Sequence, residues 1–173
     1  MRSEWQPLWG LVTLYLGDAV AAQRILHESI AFCQEQQEKF FLARNYTYLT
    51  EAALVTGALE EAAHWLAQSL AAHADPHRIT LDEVERLFIA ARLAAAQQQF
   101  QCAAILFGLA EKIHSQIQAM LAKPIRALAD AALATVQATL EQAAFAEAFA
   151  AGQEMTLAEA FATILVASPR SAR

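Results

Sequence analysis

Residues 10–30 read GLVTLYLGDAVAAQRILHESI, and residues 50–70 read TEAALVTGALEEAAHWLAQSL. With Gly17 set over Gly57 the two agree in kind: Ala22 falls on Ala62, Leu26 on Leu66 and Ser29 on Ser69, with Gly10 opposite Thr50. Forty-one residues beyond Gly57, Gln98 takes the glycine's place, and Ala103, Phe107 and Ala110 fill the same three positions. A unit of about forty residues that recurs with small residues at fixed spacing predicts a helical hairpin stacked on copies of itself. Two helices approach closely only where one presents Ala, Ser or Gly, and the large fourth residue fills the adjacent groove. The reading is a helical repeat.

Elsewhere punctuation is sparse, which predicts long helices and short turns. Helices are expected over about 7–16, 19–36, 40–56, 60–72, 81–96, 101–121, 124–140, 143–151 and 157–166. Gly17 suits a left-handed C-terminal turn, and Asp18 caps the helix after it. Thr80 and Glu83, and again Thr156 and Glu159, have the spacing of capping boxes. Pro124 sits where a first-turn proline belongs, and Gly152 reads as a helix stop. The expected fold is all-α. Antiparallel hairpins over 7–36, 40–72 and 81–121 would stack into a right-handed superhelix, closed by capping helices over 124–166, as one domain spanning 1–173.

Composition agrees with this. Of 173 residues 41 are alanine, the best helix former and a poor strand former, against 5 Gly and 4 Pro. With 57% hydrophobic and only 17% charged residues, the chain is not of a disordered kind. A net charge of −6 argues against a nucleic-acid surface, which needs clustered Lys and Arg. No run of apolar residues is long and uncharged enough for a membrane span, and the start resembles no secretory signal. Cys33 and Cys102 form no disulfide framework, so a reducing, cytoplasmic setting is expected.

The small–large–small pattern along the second helix of each hairpin resembles the tetratricopeptide repeat, with Thr50 and Gln98 in place of the usual glycines. A closer resemblance lies between Ala103 and Leu165. The run AAILFGLAEKIHSQI, a proline-led helix and then TLEQAAFAEAFAAGQEMTLAEAFATIL look like the tail of large bacterial signal-transduction regulators. These include LuxR-type transcription regulators and ATPase–cyclase relatives, and Phe145, Phe149, Gly152, Leu157, Glu159 and Ala160 stand at that tail's places. The resemblance implies a repeat module for binding a protein or peptide in bacterial signalling or transcriptional control. Neither a P-loop nor a basic helix-turn-helix accompanies it. Chaperone-binding repeats grip a carboxylate with Lys and Asn, whereas the aligned positions hold Pro7 and Leu11, Thr47 and Glu51, and Phe88 and Arg92.

The chemical constellations are weak. His73, Asp75 and His77 have a metal pair's spacing, but Pro76 between them argues for a solvated loop. His27, His64 and His114 are single helix residues, and neither cysteine has a histidine on its turn. Carboxylates such as Glu60, Glu61, Glu83 and Glu85 crowd helix starts, where they complement the macrodipole. No enzyme, cofactor or metal is expected. If the first helix of each hairpin lines a groove, Tyr15, Arg44, Tyr48, Glu51, Glu85, Phe88 and Arg92 are candidate contacts, since Tyr and Arg dominate interfaces. The bland alternative is that these Arg and Glu side chains pair across neighbouring helices. The alternative function is a small-molecule effector sensor with a cavity near Tyr15, Tyr48 and Phe88. Finally, Trp5, Leu8, Trp9 and Val12 give the first helix more apolar bulk than one hairpin can cover, which predicts association there, as a homodimer.

Overall fold

The computed structural model describes residues 2–72, 79–117 and 120–167, which contain nine α-helices and no strand. They are α1 (Arg2–Tyr15), α2 (Ala19–Glu35), α3 (Lys39–Val55), α4 (Leu59–Ala72), α5 (Leu81–Ala96), α6 (Phe100–Ile117), α7 (Lys123–Thr139), α8 (Gln142–Glu154) and α9 (Leu157–Ala167). Three boundaries differ from expectation, the first being the end of α6, at Ile117 and not at Leu121. Helix α1 starts at Arg2 and carries Pro7 inside it, although proline lacks the N–H that would close that turn. Helix α8 does not stop at Gly152 but runs through it to Glu154, for a reason given by its packing.

Four links share one conformation. Gly17, Gln37, Gly57 and Gln98 all have positive φ, at 96°, 58°, 77° and 62°. At each, that residue's N–H reaches back three residues and the next N–H reaches back five. Thus Gly17 donates to Leu14 O (3.0 Å) and Asp18 to Thr13 O (3.2 Å), and Gln98 to Ala95 O (3.0 Å) and Gln99 to Ala94 O (2.8 Å). This is the Schellman ending, and a residue with a Cβ is strained in it. Gln98 therefore stands where the hairpin asks for glycine. Gln98→Gly is expected to raise stability by about 0.5–1 kcal/mol in denaturant unfolding, the relief of strain exceeding the entropy that glycine adds to the unfolded chain. A loss of stability would show that Gln98 makes contacts worth more than its strain.

Contacts gather the helices into two compact units, one holding α1 to α4 with the end of α9 from Leu165 on, the other holding α5 to α8 and α9 as far as Ile164. In the first, α1 pairs with α2 and α3 with α4, while α3 also packs on α2 and α1. Asp18 caps α2 through Ala21 N–H at 2.9 Å. The residues aligned by the repeat point inward: Ala22, Leu26, Ser29, Ala62 and Ser69 are wholly buried and Leu66 nearly so. Ser69 is more than small. Its hydroxyl donates to Ala43 O at 2.9 Å and meets Thr47 Oγ1 at 2.7 Å, pinning α4 to α3 inside the core.

In the second unit α6 is the hub, packing on α5, α7 and α8. Ala103, Phe107 and Ala110 on its inner face are wholly buried. The α6–α8 contact carries glycine on both sides. A Cβ on Gly108 would lie 2.1 Å from Phe149 O, and one on Gly152 would lie 1.9 Å from Ile105 O. The pairing of 108 with 149 and of 105 with 152 means that the two helices run antiparallel. Gly152 serves backbone contact there, not termination. Helix α5 is unusual too: every residue from Asp82 to Ala94 is buried, five of them charged.

Candidate interaction surface

Helix α1 is apolar on two sides. Its inner side buries Leu11 and Leu14, and Gly10 lets the helix close on α2, where an added Cβ would meet the Leu26 side chain at 2.8 Å. Its outer side leaves Trp5 67%, Leu8 37%, Trp9 63% and Val12 47% exposed. The structure therefore brings together the four residues that sequence reasoning singled out for association, as an uncovered strip. Leu16, in the turn that follows α1, continues it at 81% exposed. No Asp, Glu, Lys, Arg or His lies between Trp5 and Gly17, so nothing charged interrupts the strip.

The candidate groove residues fare differently. Tyr48, Glu51, Glu85, Phe88 and Arg92 are all buried, so in this structure they are not an accessible contact face. Tyr15 and Arg44 are half-buried. Tyr15 Oη donates to Glu51 Oε1 at 2.8 Å, which gives a buried carboxylate a hydrogen bond. The Arg44 guanidinium lies over Phe40 and Phe41, 5.4 and 5.9 Å from their ring centres, on its own helix. Phe88 is packed by Phe107 and edge-on by His114, and the Arg126 guanidinium covers it at 5.5 Å. Arg126 is itself held by Glu111 (2.9 Å) and Asp130 (2.7 Å), and the hydrogen bond it donates to Glu111 first of all raises its pKa. The reason is packing: α3 lies against α1, α2 and α4, and α5 is buried along its whole length from Asp82 to Ala94, so the polar side chains they carry are spent inside the protein.

The remaining polar groups are also engaged in packing. Trp65 stacks on Tyr46 (5.7 Å), takes His27 and His64 edge-on, and donates its indole N–H to Glu61 Oε1 at 3.1 Å. Burial pushes the thiol pKa of both Cys33 and Cys102 up, away from the thiolate that nucleophilic chemistry needs. Among the described residues no group of three His, Cys, Asp or Glu is placed to hold a metal, and no helix is long and apolar enough to cross a membrane. His73, Asp75 and His77 lie outside the described residues. Phe145 and Phe149, rings 5.5 Å apart, line a groove of about 640 Å³ with Leu140, Gln137, Gln142 and Gln153, and no charged side chain lines it. No family model, curated protein or solved structure matches this chain.

Proposed function

We propose that this chain is a non-catalytic protein-interaction module of tetratricopeptide-like, superhelical kind, working in bacterial signalling or transcriptional control, and that the outer strip of α1 is its docking face. The observation that carries the reading is the exposure of Trp5 and Trp9 on an uncharged helix face. Contiguous apolar surface rimmed by polar residues marks interaction sites, and tryptophan is among the residues that dominate binding energy. The repeated hairpin turn at Gly17, Gly57 and Gln98 and the regulator-like tail support the rest of it. The effector-sensor alternative has less support, because Phe88 is already filled in by Phe107, His114 and Arg126.

Photo-crosslinking in the cells that make the protein tests this. A benzophenone amino acid at position 9 is expected to yield protein adducts, identified by mass spectrometry. The same probe at Arg24, an exposed residue of α2 that pairs with its neighbour Glu28, is expected to yield none. Equal adducts from both positions, or none from position 9, would overturn the proposed docking face.

A further inference from the structure

The strip on α1 has a periodicity of its own. Trp5, Trp9, Val12 and Leu16 stand four, three and four residues apart, the spacing at which the a and d positions of paired helices recur. We infer that α1 of a second copy covers this strip, the two helices lying antiparallel about a two-fold axis that passes between Trp9 and Val12. The inference rests on the reading of the strip as the docking face and names its occupant.

Three features favour a second copy. First, the seam is self-complementary in size. Antiparallel pairing sets Trp5 of one copy against Leu16 of the other and Trp9 against Val12, so every indole meets an aliphatic side chain. Parallel pairing would instead press indole on indole twice. Facing positions that alternate large with small pack best, and a two-fold interface needs this kind of match between a surface and itself. Second, the chain carries a net charge of −6, yet the seam has no charged residue from Trp5 to Gly17, so two copies meet there without like charges in contact. A partner with a charged docking strip would find no counter-charge on it. Third, the exposed apolar area is of the order that a dimer buries. The two indoles alone expose roughly 300 Å² if a whole tryptophan offers about 250 Å². Leu8, Val12 and Leu16 extend this toward the roughly 800 Å² per partner of a stable complex.

Sedimentation of the purified full chain from sub-micromolar to high-micromolar concentration is expected to show a dimer. Trp9→Arg is expected to weaken it more than about thirtyfold, as loss of a central anchor does. Because Trp9 is mostly exposed, that variant should keep the parent's circular dichroism and melting curve. Orientation is read by oxidative crosslinking in a Cys102→Ser background. A Trp5→Cys chain mixed with a Leu16→Cys chain should form a joint disulfide dimer, and neither should crosslink with itself. Self-crosslinking of the Trp5→Cys chain would overturn the antiparallel arrangement, and a parent chain that stays monomeric throughout would overturn the pairing. If that monomer still yields adducts with a different protein from position 9, the docking face stands and only this inference falls. Absence of any adduct, self included, would end both.

Discussion

Gly152→Ala is expected to destabilise the protein by more than about 3 kcal/mol, beyond the usual cost of one added methyl group in a core. The reason is what the methyl would meet. At both glycines the obstacle is main chain: Phe149 O at 2.1 Å from a Cβ on Gly108, and Ile105 O at 1.9 Å from one on Gly152. A carbonyl within a helix cannot swing aside as a side chain can, so α6 and α8 would have to move apart along the whole crossing. That would loosen Ala104, Leu109 and Ala148, all of them buried in the two helices. Gly108→Ala should cost a similar amount, and the double variant less than the sum, because the first substitution already opens the gap that the second needs. Gly10→Ala is the instructive comparison. Its Cβ would press on the end of the Leu26 side chain, which can turn, so the loss should be clearly smaller. Urea unfolding of the four variants checks the ranking. A Gly152→Ala protein as stable as its parent would mean that α6 and α8 do not approach through their backbones.

Arg86→Ala is expected to cost about 3–5 kcal/mol, the range for leaving one member of a buried ion pair behind. Arg86 and Glu83 are each almost fully buried, with Nη1 3.5 Å from Glu83 Oε1. Burial works against the guanidinium and lowers its pKa, while the carboxylates of Glu83, Asp82 and Glu85 work the other way. The guanidinium also lies 5.8 Å from the centre of the Phe161 ring, so it links the start of α5 to α9. Glu83 also closes the capping box of α5, accepting from Thr80 N at 2.7 Å and from Thr80 Oγ1 at 2.5 Å. Taking the arginine away strands a carboxylate that the cap cannot satisfy alone. The double change Glu83→Gln with Arg86→Met keeps the cap acceptor and the volume while removing both charges, and should restore most of the loss. If Arg86→Ala unfolds at the parent's denaturant concentration, the pair is not buried in the working protein.

Helix content, most helix ends and the small inward positions were legible in the sequence, because each depends on a few neighbouring residues. A Schellman turn needs only a residue that tolerates positive φ, and Gly17 and Gly57 mark two such turns openly. Alignment found Gln98 in the third, where composition alone would not. The fourth, at Gln37, carries no such mark and was not foreseen. Ala22, Ala62 and Ala103 were recognisable as packing positions since close helix contact admits few residue types.

What depended on distant neighbours was decided only by tertiary structure. The two capping boxes, TLDE at 80–83 and TLAE at 156–159, are nearly one motif, and both form. Thr156 N–H and Oγ1 reach Glu159 at 2.8 and 2.7 Å in the open, and these bonds hold the Glu159 pKa below its ordinary value. The Glu83 box is buried against Arg86, where the second box has Ala162, yet an arginine at that place does not by itself say that the box is inside. Gly152 read as a stop because glycine weakens helices, but the opposing backbone of α6 makes it a contact residue inside α8. Tyr48, Glu51, Phe88 and Arg92 read as groove residues because the first helix of each hairpin was expected to line a groove and Tyr and Arg dominate interfaces. Their burial follows from the packing of neighbouring helices on α3 and α5. The α1 strip was legible because excess is visible locally: apolar residues around the whole helix cannot all face one hairpin. The sequence thus determined which segments are helical and where one helix has apolar surface to spare. Tertiary packing decided which glycines, charges and aromatics are inside, because burial belongs to pairs of elements and not to either one alone.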